Sequence, residues 1–215
     1  MDGSTSRSLS IATPSETNLA ATVLDLEQRT LLLTAANPGS GTSTSALALA
    51  SQLALMSAGE VLLVDSSPSG NNLSQQLGAG KLCGFSDLLF DADAPPLLQE
   101  SLVHLPDQPF DLLPAGTYRR GRQRLDPERL RALLTQLSRR YRFVVIDGQA
   151  VYASADSLVL GSLVDGVILV VTAEQTRLEV AQATVQRLAQ AGATVIGSVF
   201  NKRKYYMPKW LYDHL

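Results

Sequence analysis

A glycine-rich stretch near the start of the chain has the residue types needed to bind a phosphate group. Residues 38–44 read Pro-Gly-Ser-Gly-Thr-Ser-Thr and lie between the apolar run 31–33 and an Ala/Leu-rich run with high helix propensity. A strand, a glycine-rich loop and a helix in this order are the setting of a phosphate-binding loop. The glycines let main-chain N–H groups turn inward, and the helix N-terminus adds partial positive charge. The stretch therefore predicts an anion site made mainly of backbone.

One position departs from the pattern of an active phosphate-binding loop. That pattern ends in Gly-Lys-Ser or Gly-Lys-Thr, whereas this chain has Gly41, Thr42 and Ser43. Threonine donates one hydrogen bond and brings no charge. Losing a charge-assisted hydrogen bond of about 1.5–3 kcal/mol predicts nucleotide binding weakened by roughly ten- to a hundredfold. Losing a comparable electrostatic group lowers the rate of the chemical step by about 10²–10³.

Two acidic residues follow apolar runs and are expected at the same edge of the sheet. Asp65 follows the run 61–64, and Asp147 follows the run 143–146. In an open parallel sheet, ligands bind at the carboxyl ends of the strands, where the loop 36–44 also lies. Ser43 stands where a hydroxyl coordinates Mg²⁺, and an acid at a strand end organises the ion. Either acid alone is more often a turn or helix cap, but the combination with the glycine loop predicts a magnesium site.

Alternating apolar runs and amphipathic segments predict an α/β protein. The predicted strands are continuously apolar, which is typical of parallel strands buried on both faces. The expected fold class is therefore a parallel β-sheet flanked by helices on both faces. The predicted strands are 30–35, 61–64, 110–113, 143–146, 166–172 and 194–200. The predicted helices are 19–27, 44–57, 73–77 and 85–90, one that begins at Pro127, and one that runs from a capping box of Thr176 and Glu179 through Ala191.

The composition limits the class of protein. The chain has 215 residues, a net charge of −2 and a single cysteine. This length fits one α/β domain, and the charge gives no general attraction to nucleic acid, so we expect no nucleic-acid partner. Since no internal disulfide can form, a reducing cytoplasm is the expected compartment. No apolar run approaches the roughly 20 residues of a transmembrane helix, and the N-terminus has no signal-peptide pattern.

We expect three segments along the chain. Residues 1–18 are polar and rich in serine and threonine, and we expect them to be flexible. Residues 19–201 form the domain. Residues 202–215 form a basic tail that contains four aromatic residues. Such a tail either covers the last strand or forms an interface, and both readings stay open.

Taken in order, the motifs resemble the bacterial tyrosine kinases of capsule and exopolysaccharide assembly, which are relatives of the MinD/ParA type of P-loop ATPase. The resemblance covers roughly residues 15–215. It rests on Pro38, Gly39, Ser40, Gly41, Thr42, Ser43 and Thr44, on the runs that end at Asp65 and Asp147, on Asp156, and on the segments 84–89, 113–116, 164–171 and 197–201. The implied fold is the MinD/ParA-like P-loop NTPase fold.

The resemblance also implies a set of binding residues. Loop residues 38–44 and Asn201 would bind ATP or ADP, while Ser43, Asp65 and Asp147 would hold Mg²⁺ and the two acids would be catalytic. The chain departs from the family where the chemistry is done, because Thr42 replaces a lysine and Ser67 replaces the second acid of an Asp-x-Asp pair. We therefore expect both acids to be vestigial. Whether ATP, ADP and Mg²⁺ still bind stays open.

Relatives of this type act beneath an inner-membrane polysaccharide co-polymerase or synthase component, and they self-associate. The resemblance thus implies a degenerate, non-catalytic or very weakly catalytic protein of exopolysaccharide or capsule biosynthesis and export. We expect it to be cytoplasmic and held at the inner membrane through its partner.

Two alternatives stay open. One is an active ATPase or tyrosine autokinase in which the missing lysine comes from Lys81, from Lys202 or from a neighbouring subunit. It predicts ATP turnover that falls on Asp147→Ala. The other is a MinD/ParA-like positioning factor that binds membrane or DNA through the tail 202–215, and deletion of that tail would abolish the binding.

Overall fold

A mostly parallel β-sheet runs through the chain. The computed structural model describes residues 14–25, 28–57, 60–67, 72–91, 96–118, 121 and 123–202. The strands are β1 (Thr30–Ala35), β2 (Val61–Asp65), β3 (Val103–His104), β4 (Asp111–Leu113), β5 (Phe143–Asp147), β6 (Gly166–Thr172) and β7 (Val195–Asn201). Within these residues they form a seven-stranded sheet in the order β3-β4-β2-β5-β1-β6-β7. All neighbouring pairs are parallel except β3 with β4.

Helices cover both faces of this sheet. They are α1 (Pro14–Asp25), α2 (Thr42–Met56), α3 (Leu73–Gln76), α4 (Phe85–Phe90), α5 (Leu98–Ser101), α6 (Pro127–Arg140), α7 (Asp156–Gly161) and α8 (Leu178–Gln190). Alternate residues of β1 enter two separate apolar cores: Leu31 and Leu33 pack with α1 and α2, whereas Leu32 packs with α6 and α8. The predicted parallel sheet with helices on both faces is confirmed. None of the described helices is long and apolar enough to cross a bilayer.

The buried central elements match their prediction closely. Strands β1 and β6 have the predicted bounds, and β2 and β5 each extend by one residue to include the acid at their end. Every residue of these four strands is buried, which explains why they read as continuous apolar runs. At the start of α6, the Asp126 side chain accepts a hydrogen bond from the Glu128 N–H at 2.9 Å, as its N-cap position predicts.

Several element boundaries differ from the prediction. Helix α1 begins at Pro14, within the segment expected to be flexible, because proline suits the first turn of a helix; residues 1–13 lie outside the described part of the chain. Helix α2 begins at Thr42 and not at residue 44, since Gly41 takes a left-handed conformation and serves as N-cap. The short α5 and β3 were not predicted, because elements of four and two residues carry no periodic pattern.

The predicted capping box of the last helix is wrong. Helix α8 begins at Leu178, and its N-cap residue is Arg177. The Thr176 hydroxyl instead accepts a hydrogen bond from the Thr172 N–H at 3.2 Å. Thr176 therefore closes the turn after β6, and the helix starts without a side-chain cap among the described residues.

Candidate functional site

The glycine loop joins β1 to α2 at the carboxyl edge of the sheet. Gly39 and Gly41 have φ values of 78° and 88°, in the left-handed region that favours glycine. The first N–H groups of a helix have no partner within the helix. No side chain of the described residues caps α2, and its first turn reads Thr-Ser-Thr-Ser without an acidic residue. The helix N-terminus therefore has no acidic or capping side chain of the described residues beside it, and the predicted anion site stays a prediction.

The end of β7 holds this loop in place. The Asn201 side-chain amide donates a hydrogen bond to the Ser40 carbonyl at 2.9 Å. The contact is close, because a Cβ atom added at Gly41 would lie 1.9 Å from Asn201 Nδ2. The structure thus places Asn201 against the loop, and its predicted role in nucleotide binding stays a prediction.

Asp147 ends β5 and faces the cavity with one oxygen unengaged. Its side chain is buried, and its Oδ2 has no hydrogen-bond partner among the described residues. Burial raises the pKa of Asp147 to about 7; a hydrogen bond from the Ser43 side chain opposes this rise, and the nearby Asp65 charge adds to it. A buried carboxylate oxygen without a partner destabilises the fold unless a cation, a water molecule or a proton binds to it. The Ser43–Asp147 pair therefore has the chemistry of a Mg²⁺ site.

Asp65 has a different environment. Its Oδ2 accepts hydrogen bonds from the Ser74 N–H at 2.7 Å and from the Ser74 hydroxyl at 2.6 Å. Its Oδ1 accepts the Ser67 N–H at 3.0 Å. Burial raises the pKa of Asp65, and these hydrogen bonds oppose the rise. Unlike Asp147, Asp65 does not line the cavity beside the loop.

That cavity has a volume of about 530 Å³. Its walls are Asn37, Pro38, Gly39, Gly41, Thr42, Ser43, Ser67, Asp147, Gly148, Gln149, Ala150, Ala153 and Lys202. The volume lies in the range of small-ligand sites, and its position at the carboxyl ends of β1 and β5 is that of ligands in open α/β sheets. A larger depression of about 970 Å³ runs along the solvent side of α6 and shares no lining residue with this cavity. The loop, Ser43 and Asp147 meet at one cavity, whereas Asp65, which was predicted to hold Mg²⁺ with them, does not line it because its oxygens bind Ser67 and Ser74.

Sequence reasoning missed part of this wall. Gly148, Gln149 and Ala150 are not among the binding residues that the resemblance implied, yet all three line the cavity. A Cβ atom at Gly148 would lie 2.9 Å from the Leu33 carbonyl oxygen, so glycine is needed where β5 continues past β1. Lys202 was one of two candidate lysines. Of these two, Lys202 lines the cavity and Lys81 does not.

The residues present fit a magnesium nucleotide in part. Backbone donors and the α2 N-terminus suit phosphate, and the Ser43 hydroxyl with the open Asp147 oxygen suits Mg²⁺. Among the described residues, no group of three or more His, Cys, Asp or Glu side chains would hold a metal by itself, so phosphate or water oxygens would complete the shell. What does not fit is Thr42, which lines the cavity where an active loop has lysine.

The similarities to known proteins agree with this geometry. The chain matches no model of a known protein family. It is 24% identical to the tyrosine-protein kinase YwqD of Bacillus subtilis over 87% of this chain and 78% of that protein. It is 29% identical to the putative tyrosine-protein kinase EpsB of Ralstonia solanacearum over 86% of this chain, which spans only 24% of the relative.

Solved structures extend the similarity. The kinase domain of VpsO is 29% identical, with a TM-score of 0.72 over 88% of this chain and 96% of that domain. MinD of Pyrococcus horikoshii, solved in complex with Mg-ADP, is 21% identical with a TM-score of 0.66 over 86% of this chain and 76% of that chain, which shows a shared fold. The homologues of this chain are therefore bacterial tyrosine kinases, and its fold is that of their kinase domain and of MinD-like P-loop ATPases.

Proposed function

We propose that this chain is a nucleotide-binding, catalytically degenerate relative of the bacterial tyrosine kinases. The observation that carries the proposal is the contrast within one cavity: the loop, the α2 N-terminus and the Ser43–Asp147 pair are arranged for a magnesium nucleotide, while Thr42 stands in place of the lysine. Backbone donors support binding whatever the side chain at position 42. Phosphoryl transfer needs the missing charge far more than binding does.

The cellular role follows from the resemblance to the tyrosine kinases of polysaccharide assembly. The chain acts as a component or regulator of exopolysaccharide or capsule biosynthesis and export. It is cytoplasmic, docks on an inner-membrane co-polymerase or synthase component, and self-associates in a manner set by bound nucleotide. The neighbouring genes provide a first check, since glycosyltransferases and an export channel are expected beside its gene.

The test compares the wild type with Thr42→Lys in calorimetric titrations with ATP and ADP in the presence of Mg²⁺. We expect the variant to bind roughly ten- to a hundredfold more tightly, because it regains a charge-assisted contact. Thr135→Lys is the matched control, since Thr135 is exposed on α6 and the same charge there should leave affinity unchanged. ATP turnover by the wild type should equal that of Asp147→Ala. Turnover by the wild type that exceeds that of Asp147→Ala and is as fast as that of Thr42→Lys would contradict the degenerate assignment.

A second candidate, an active ATPase or autokinase, has one observation in its favour. The Lys202 ammonium lies 2.6 Å from the Gly39 carbonyl oxygen, at the loop itself. Wild-type turnover that is lost in both Asp147→Ala and Lys202→Asn would support this candidate. The third candidate, a positioning factor, depends on the tail, of which residues 203–215 lie outside the described part of the chain.

A further inference from the structure

We propose that Lys202 supplies the positive charge that Thr42 lacks, and that its ammonium binds the phosphates of a nucleotide in the cavity. The inference rests on the proposed function, because it requires that a nucleotide enters this cavity. It concerns the binding of phosphate and not its transfer.

Lys202 lies against the glycine loop although it is distant from it in the sequence. Lys202 follows directly after β7, yet its Nζ donates a hydrogen bond of 2.6 Å to the carbonyl oxygen of Gly39, which is 163 residues away in the chain. An ammonium has three N–H donors, so two remain for phosphate oxygens while the contact with Gly39 is kept. Among the described residues that line the cavity, Lys202 is the only one with a positive charge.

The backbone of Lys202 has a disfavoured conformation that a neighbouring side chain stabilises. Its φ of 56° lies in the left-handed region, which is disfavoured for a residue with a long side chain. Asn201 holds this conformation, since its Oδ1 accepts the Lys202 N–H at 2.8 Å. The Asn201 carbonyl in turn accepts the Ala173 N–H at 2.9 Å, which ties this turn to the end of β6. Sterically disfavoured positions that the surrounding structure maintains cluster at functional sites.

The same two residues orient the loop. Lys202 engages the carbonyl of Gly39, and Asn201 engages the carbonyl of Ser40. In a trans peptide the C=O and N–H groups point in opposite directions, and none of the described peptide bonds is cis. The N–H groups of Ser40 and Gly41 therefore point away from the end of β7. Asn201 and Lys202 thus set the direction of these loop donors, while the Lys202 ammonium itself lies on the carbonyl side of the loop and borders the cavity.

The exposure of Lys202 determines how its charge acts. The residue is exposed, whereas the lysine of an intact phosphate-binding loop follows the second glycine at the helix N-terminus. An exposed ammonium interacts with phosphate through partly screened electrostatics. We therefore expect its contribution to nucleotide affinity to fall as the salt concentration rises.

The experiment is calorimetric titration of ADP and ATP with Mg²⁺ into the wild type and Lys202→Asn. Asparagine removes the ammonium but tolerates the left-handed conformation better than other side chains, so the turn after β7 is kept. We expect Lys202→Asn to bind about two- to fivefold more weakly, because an exposed and partly screened ammonium contributes less than a buried one. Lys202→Arg should keep most of the affinity. Lys81→Asn is the matched control, because Lys81 is exposed and does not line the cavity.

A double variant separates the charge of Lys202 from its effect on the loop. If Lys202 acts by charge, Thr42→Lys should raise nucleotide affinity more in Lys202→Asn than in the wild type, because the two lysines would supply the same charge. An equal gain in the two backgrounds would overturn the charge assignment. Equal binding by the wild type and Lys202→Asn would overturn this inference and leave the proposed function standing. No binding by the wild type at all would overturn both.

Discussion

Asp65 and Asp147 end neighbouring parallel strands, and they stand opposite each other in the register of β2 and β5. Both side chains are buried, and burial is the largest cause that raises the pKa of each. Both oxygens of Asp65 accept hydrogen bonds from the protein, whereas Oδ2 of Asp147 has no partner among the described residues. The end of a strand determines where an acid lies, and its neighbours determine whether it holds the fold or meets a ligand.

The neighbours of the two acids come from different parts of the fold. Ser74 lies on α3, donates to Asp65, and accepts the Ala115 N–H at 2.8 Å, so the Asp65 network joins β2, α3 and the segment after β4. Ser43 lies at the start of α2 and donates to Asp147 from the phosphate loop. Both oxygens of Asp65 thus have partners within the protein, whereas Asp147 lines the cavity with an Oδ2 that has no partner among the described residues.

The largest effect is expected for Asp65→Ala. The substitution leaves the buried N–H and hydroxyl of Ser74 and the half-buried N–H of Ser67 without this acceptor. We expect the free energy of unfolding to fall by about 3–5 kcal/mol, measured by urea denaturation at pH 7 without Mg²⁺. Asp147→Ala is the control and should cause no comparable loss. Equal losses in the two variants would remove the distinction between the acids.

The next effect concerns how the free energy of unfolding depends on pH in the metal-free Asp147→Asn variant. The folded pKa of Asp147 is raised from 3.8 to about 7, so the folded state holds this proton more tightly than the unfolded state does. The resulting stabilisation is complete below pH 3.8 and is lost as the pH rises to about 7. The asparagine side chain of the variant has no carboxyl proton to lose, so its stability lacks this dependence.

Relative to wild type, Asp147→Asn should therefore gain stability between pH 4 and pH 8, by at most about 4 kcal/mol. The measurement is the free energy of unfolding as a function of pH, with EDTA present. Parallel curves for the two proteins would show that Asp147 ionises normally. The proposed difference between the environments of Asp65 and Asp147 would then be wrong for Asp147.

A smaller effect is expected for Ser74→Ala, which removes one donor to Asp65 and leaves the Ala115 N–H without its acceptor. We expect a loss of about 1–3 kcal/mol in the free energy of unfolding. Ser43→Ala is the matched substitution at the other acid and should change stability by less than about 1 kcal/mol. It should instead abolish the Mg²⁺ dependence of nucleotide binding. A stability loss at Ser43 as large as at Ser74 would show that both networks are structural.

Sequence alone was sufficient for the central sheet and for the outline of the site. The strands β1, β2, β5 and β6 are buried on both faces, so their apolar runs could be read without knowledge of their neighbours. The phosphate loop is local, because its glycines, its flanking strand and its helix adjoin in the chain. Parallel strands bring their carboxyl ends to one edge, and this rule placed Asp65, Asp147 and the loop together.

Tertiary structure decided which acid is open and where a positive charge lies. Asp65 and Asp147 look alike in sequence, and their environments differ because Ser67 and Ser74 donate to Asp65, whereas Oδ2 of Asp147 has no partner among the described residues. Lys202 reaches Gly39 because β7 is added beside β6 at the far end of the sheet, a contact between residues 163 positions apart. Local patterns determine strands, loops and caps, since these depend on adjacent residues. Contacts between distant segments depend on the assembled sheet, and the chemistry of this cavity is made of such contacts.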